Sequence, residues 1–246
     1  MLYTGNKDIF KDPSKTSVGE TAIGEVKAAL DKSPSTKLFG VLPIPFGMWV
    51  YNDFVKYEKG FGEWVFNRFA AKPVFISTVN PELRVKVATN LLHDYGYFNG
   101  KVSQQTIVNP KDSLKARVEY TVEMRNPYFI DTVYYDRFTP QTLRIMERGR
   151  RWSLLTPGEQ FNVSDLDEER NRLSTLLRNV GYFYFRPDYM TYQADTTLVP
   201  GGHISLRLIP VPGLPAAAQR PYYVGDASVY LFGKNGEAPN DSMMYK

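Results

Sequence analysis

An eight-residue pattern that occurs twice constrains this chain more than any other feature of it. Leu91-Leu92-His93-Asp94-Tyr95-Gly96-Tyr97-Phe98 returns as Leu176-Leu177-Arg178-Asn179-Val180-Gly181-Tyr182-Phe183, both copies reading LLxxxGYF, with 85 residues separating Gly96 from Gly181. A fixed period means that one supersecondary unit is built more than once, so the fold is expected to be a series of small modules. At 246 residues the chain has room for two or three of them.

Upstream of each copy, apolar residues recur at helical spacing: Leu83, Val87, Ala88, Leu91 and Tyr95 in the first, Leu166, Leu173, Leu176, Leu177 and Val180 in the second. Each set predicts a helix with one buried stripe. Asn80-Pro81-Glu82 marks one start, and Ser164-Asp165 with Asp167 and Glu168 marks the other. Side-chain acceptors satisfy free N–H groups at such positions, and negative charge suits the dipole. Gly96 and Gly181 then close the helices in the left-handed conformation.

Period-two alternation follows each glycine. GKVSQQTIV and LKARVEYTV flank the turn Asn109-Pro110-Lys111-Asp112, and DYMTYQADTTL and HISLRLIPV flank Pro200-Gly201-Gly202. Both read as β-hairpins. Another extended run comes after each hairpin, Tyr128 to Tyr135 and then Tyr222 to Leu231, and a first helix starts near Pro140. The unit is therefore strand, helix, helix, strand, strand, an α+β arrangement in which two helices cover one face of a small mixed three-stranded sheet. Module 1 spans residues 1–126, opening with LYTGNKDIF and a helix over 17–31 and holding an aromatic-rich insertion at about 33–78. Module 2 spans 127–213, and 214–246 reads as a linker and the first strand of a truncated third module.

Composition narrows the chemistry. There is no cysteine, which removes disulfides, thiolate metal sites and cysteine nucleophiles, and only His93 and His203 offer an imidazole ligand or base. The net charge of +4 is small for this length, so no nucleic-acid partner is expected. Residues 38–51, LFGVLPIPFGMWVY, fall short of the roughly 20 apolar residues that a membrane span requires and are broken by Gly40, Pro43, Pro45 and Gly47. No signal peptide is legible at the start, and the two ends read as those of a piece of something longer. Asp165, Asp167, Glu168 and Glu169 sit where first-turn charge explains them, and Gly201-Gly202 lacks the lysine and following helix of a phosphate cradle. No catalytic residue, cofactor or metal site is expected.

The β-α-α-β-β order, its tandem repetition and the glycine-aromatic motif resemble POTRA domains, the periplasmic modules of outer-membrane assembly factors related to BamA and TamA. More narrowly, LYTGNK, the aromatic insertion, LLxxxGYF and FNVSDLDEERNRLSTLLRNVGYFYF resemble the Bacteroidetes TamA-like proteins known as TamL. The resemblance covers two whole modules and the opening strand of a third. It implies a non-enzymatic periplasmic scaffold that receives unfolded outer-membrane protein clients and guides them to a C-terminal membrane β-barrel. It also implies partners such as a TamB-like bridge protein or accessory lipoproteins, and contact with the inner leaflet of the outer membrane. Members of that branch often carry a lipid anchor on an N-terminal cysteine, which this sequence lacks.

In such modules a free strand edge takes up extended chain through main-chain hydrogen bonds. The hairpin's first strand is the expected edge, Lys101 to Val108 and Tyr189 to Thr197. Val102, Gln104, Thr106 and Val108 are the contact positions in one, Met190, Tyr192 and Ala194 in the other, while polar neighbours such as Ser103, Gln105, Gln193 and Asp195 discourage self-pairing, with the solvated face of an ordinary strand as the competing reading. In the insertion, Phe46, Trp49, Phe61 and Trp64 offer a membrane or partner surface, with packing inside the module as the competing reading. Arg144, Arg148, Arg150 and Arg151 either meet phosphates or form a solvated helix end that the dipole favours. Two other identities stay open: a freestanding α+β ligand-binding protein or enzyme, and POTRA modules of another system such as two-partner secretion.

Overall fold

A computed structural model describes residues 1–12, 15–32, 46–56, 59–70, 73–197, 201–229 and 243–245, with 46–49, 228–229 and 243–245 described by their backbone. The chain forms two compact units. One comprises Met1–Asp131, Pro157–Ser164 and Thr196–Ile204, the other Thr132–Thr156, Asp165–Asp195 and Ser205–Lys246.

In the first repeat, β1 (Leu2–Lys11) leads to α1 (Ser17–Leu30), and α5 (Pro81–Asp94) leads to β2 (Lys101–Asn109) and β3 (Asp112–Glu123). Between α1 and α5 the insertion contributes α2 (Phe46–Phe54), α3 (Phe61–Phe69) and the short α4 (Ile76–Val79). The sheet order is β1-β3-β2, with β1 parallel and β2 antiparallel to the central β3. Tyr3, Val118, Tyr120 and Val122 from the sheet meet Ala22, Val26 and Leu30 of α1 and Ala88 and Leu92 of α5 in one core. Full burial of a leucine such as Leu92 contributes about 1.5–3 kcal/mol.

Local chemistry sets the helix ends. Thr16 caps α1 by accepting from the Gly19 N–H at 3.0 Å, and Asn80 caps α5 by accepting from Leu83 N–H at 3.3 Å. Ala88 and Tyr95 of the expected α5 stripe are buried, but the stripe is rotated, with Leu83 and Val87 exposed and Leu92 buried in their place. Both sets fit a 3.6-residue period, and the anchor that decides between them is polar. The Arg84 guanidinium donates to the carbonyls of Val79, Ala29 and Asp31 at 3.0, 2.7 and 2.9 Å.

The second repeat has the same order: β4 (Phe129–Tyr135), α6 (Pro140–Arg148), α7 (Val163–Asn179), β5 (Met190–Asp195) and β6 (His203–Pro210), with sheet order β4-β6-β5. Met146, Leu173, Leu177, Tyr182, Met190, Leu206 and Leu208 are buried. α7 starts earlier than Ser164-Asp165, because Asn162 Oδ1 accepts from Ser164 N–H at 3.0 Å and supplies the cap. Val180, expected on the buried stripe, lies past the end of α7 and is 44% exposed. Gly96 and Gly181 both have positive φ, +83° and +99°, as their place after a helix end predicts. Beyond the second repeat, β7 (Ala227–Val229) pairs antiparallel with β8 (Met243–Tyr245). The strand expected over 222–231 is shorter than that: residues 222–226 are not in a strand, and 230–231 lie outside the described residues.

Candidate strand-edge site

With β3 and β6 central, each sheet has two edges, and in each repeat the chain itself closes one of them. On β1, Tyr3 N–H donates to Val74 C=O at 2.8 Å and Ile76 N–H to Met1 C=O at 3.1 Å, setting Phe75 opposite Leu2. On β4, Ile130 N–H donates to Glu159 C=O at 2.8 Å and Gly158 N–H to Ile130 C=O at 2.7 Å, setting Gln160 opposite Phe129. Phe75 and Gln160 are themselves 85 residues apart. The segment ahead of the second helix thus covers the first strand's outer side in both repeats. Among the described residues no segment does the same for β2 or β5, which are left as the open edges.

The open edges differ in length. β2 runs nine residues, and its positions Val102, Gln104, Thr106 and Val108 stand opposite the buried Val122, Tyr120, Val118 and Ala116. Gln104, Thr106 and Val108 are nevertheless exposed, so polar chemistry and open backbone coincide there. Alternate residues of an edge strand direct their N–H and C=O groups outward, the geometry that another strand completes.

β5 is shorter than expected, because Pro187–Tyr189 form a helical turn and the ladder ends at Asp195. Met190 also departs from its expected role. Its side chain is fully buried, and its carbonyl accepts from Arg170 Nη1 at 3.2 Å. Tyr192 and Ala194 stand opposite Leu208 and Leu206, with Ala194 exposed and Tyr192 half-buried. Burial, with the charge of Glu169 adding to it, pushes the Tyr192 phenol far above its ordinary range. That phenol is a neutral group at any physiological pH.

Behind β5 lies a network that first-turn charge does not explain. Glu169 is completely buried and accepts from Arg172 Nε and Nη2 at 2.7 and 2.6 Å, from Ser153 Oγ and Leu154 N–H at 3.0 Å each, and from the Tyr135 hydroxyl at 3.3 Å. Its place between Leu166 and Leu173 on the apolar stripe is the signal that sets it apart from Asp165, Asp167 and Glu168.

The remaining expected surfaces sort out as follows. Phe61 and Trp64 are exposed and stacked at 5.8 Å on α3, a helix with no buried residue. The side chains of Phe46 and Trp49 lie outside the described residues. Of the four arginines, Arg150 is engaged inward, with Glu147 at 2.7 and 2.8 Å, with Val133 C=O at 2.8 Å and over the Tyr135 ring at 4.6 Å. Arg144, Arg148 and Arg151 stay exposed. His93 rests near Phe98 and His203 near Phe129. Among the described residues no group of three His, Asp or Glu side chains is arranged to hold a metal, and no helix is long and apolar enough to cross a membrane.

No family model matches the chain, and neither does any curated protein. Among solved structures it is similar to BamA POTRA3-5 from Haemophilus influenzae, at 13% identity and a TM-score of 0.41, over 85% of this chain and 66% of that one. It is also similar to POTRA1-2 of Omp85 from Anabaena, at 14% identity and a TM-score of 0.34, over 86% of this chain and 96% of that one. BamA from Haemophilus ducreyi lacking POTRA domains 1-3 aligns at 15% identity and a TM-score of 0.36, over 65% of this chain and 26% of that one.

Proposed function

We propose that this chain is a tandem POTRA-type scaffold, a non-enzymatic periplasmic part of an outer-membrane protein assembly factor, in which β2 and β5 take up extended client or partner segments by strand addition. The observation that carries this reading is the asymmetry of the edges: each repeat closes its first strand with its own backbone and leaves the hairpin strand open. Main-chain pairing makes little demand on the client's side chains, which suits a handler of many unfolded outer-membrane proteins. Gln104, Thr106 and Gln193 keep the exposed edges polar and so limit self-association. The finer assignment, to the TamL-like branch with a TamB-like bridge protein or accessory lipoproteins as partners, rests on the LYTGNK and GYF resemblance. Delivery to a C-terminal barrel belongs to the same reading, as does a third module after residue 213. The exposed Phe61–Trp64 pair would then be the part of the insertion that meets a membrane or a partner.

The test is an amide-resolved NMR titration with an extended, alternately apolar peptide of about ten residues. The expected result is weak, sequence-tolerant binding with shifts confined to Lys101–Asn109 and Met190–Asp195. Edges that stay silent with every such peptide at millimolar concentration would overturn the reading.

A further inference from the structure

In the insertion, α3 meets α2 through the Tyr51 and Phe66 rings at 5.6 Å, and none of the nine residues of α3 is buried. Its other three rings form a ridge. Phe61 stacks on Trp64 at 5.8 Å, Trp64 meets Phe69 edge-on at 5.9 Å, and the three are 76%, 56% and 43% exposed. At 3.6 residues per turn, Phe61, Trp64, Val65, Arg68 and Phe69 share an arc of about 140°, while Glu63 and Asn67 fall on the opposite side. Contiguous exposed apolar surface of this kind marks an interaction site.

Shape and charge say what the ridge meets. The rings protrude from a convex helix surface, and a bilayer interface takes in protruding apolar side chains without a matching cavity. Lys59 stands just before α3 and Arg68 in its last turn, both exposed, and Lys56, past the end of α2, is exposed as well. Long cationic side chains beside an apolar face reach back to headgroup phosphates while the rings enter the acyl boundary. We propose that α3 lies in the plane of an anionic phospholipid surface, with Phe61, Trp64 and Phe69 seated among the upper acyl chains and Lys59 and Arg68 on the phosphates. Glu63, the one acidic residue of α3, then faces away from the lipid. A protein partner fits less well. Protein interfaces fix their register with about one hydrogen bond per 100–200 Å², whereas between Lys59 and Arg68 this arc offers only the Trp64 indole N–H. The surface belongs to the insertion of the reading above and takes its membrane setting from there, but it is separate from β2 and β5, so vesicle binding and strand addition can each fail alone.

The experiment floats the full chain with phosphatidylcholine vesicles made with and without phosphatidylglycerol. In a Trp49→Phe, Trp152→Phe variant, Trp64 is followed alone, by its emission and by quenching from lipids brominated on the acyl chain. The expected result is binding to the anionic vesicles, weakened about tenfold or more in Trp64→Ser and in a Lys59→Glu, Arg68→Glu double variant. Trp64 emission should shift to the blue, and brominated chains should quench it. The substituted side chains of α3 are exposed, unchanged circular dichroism checks that the variants fold, and flotation of the unaltered chain needs no tryptophan replacement. Equal flotation of the unaltered chain and Trp64→Ser, equal binding to neutral and anionic vesicles, or no binding at millimolar lipid would overturn the proposal. So would a Trp64 already shielded from acrylamide in the free protein, or self-association lost in Trp64→Ser, since either would give the ridge to the chain itself or to a second copy.

Discussion

The two repeats place opposite charges at the same point. Arg84 and Glu169, 85 residues apart, sit in the second helix of their repeats, and each ties that helix to the end of the first one. Arg84 donates to the Ala29 and Asp31 carbonyls at the C-terminal end of α1. Glu169 accepts from Leu154 N–H and Ser153 Oγ, just past α6, and recruits Arg172. The architecture requires a link there, and the sign of the charge follows whichever backbone group lacks a partner. The LLxxxGYF copies teach the same lesson in apolar form. Gly96 C=O accepts from Tyr128 N–H and Gly181 C=O from Tyr222 N–H, one backbone anchor, while the Phe98 ring packs on Phe161 and the Phe183 ring on Tyr184.

The largest effect that sharpens this comparison belongs to Glu169→Ala, which leaves Arg172 and the Leu154 N–H without their partner. Denaturant unfolding should show a loss of about 3–5 kcal/mol. Arg84→Ala removes three hydrogen bonds at a half-exposed site, and a loss of about 2 kcal/mol is expected. Equal losses for the two would break the distinction between a buried ion network and a partly solvated anchor.

Next come the rings. Phe161 is 5% exposed, and Phe161→Ala should cost about 3 kcal/mol. Phe183→Ala, at the exposed counterpart of the Phe98 ring that Phe161 packs against, should stay within about 0.5 kcal/mol. Thermal melts of the two variants side by side give the answer, and a large loss at Phe183 would mean that its ring is already covered.

The glycines should behave alike. An added Cβ would lie 2.9 Å from Phe161 C=O at Gly96 and 2.9 Å from Tyr222 C=O at Gly181, both at positive φ. Each Gly→Ala change should lose about 2 kcal/mol by equilibrium unfolding. The smallest effect is alkaline. Burial first, then the nearby Glu25 and Glu169 respectively, push the Tyr95 and Tyr135 phenols up to about 12. An unfolded phenol ionises near pH 10, so this contribution is whole below pH 10 and should fade towards pH 12 in both repeats, as a pH series of melts would record.

Much of this was legible in the sequence. The repeat gave the element order, the left-handed glycines and the hairpins, because turn chemistry and period-two alternation are local signals. The outward turn of Leu83 and Val87 on α5 was not, since they fit the same period as the buried Ala88, Leu92 and Tyr95 and the Arg84 contacts that set the rotation are long-range. Glu169 was hidden in a run of acids. The closed edges at Phe75 and Gln160 left no trace, because main-chain bridges impose no side-chain pattern, and Met190 looked like an edge contact although its side chain belongs to the core.

Hydrogen exchange, with and without an extended peptide, tests the central claim most directly. In the free protein the Tyr3 and Ile130 amides, which donate to Val74 and Glu159, should be protected while the outward amides of β2 and β5 exchange quickly. Added peptide should slow exchange along Lys101–Asn109 and Met190–Asp195 alone. Rapid exchange at Tyr3 and Ile130, or peptide-induced protection on β1 and β4 instead, would contradict it.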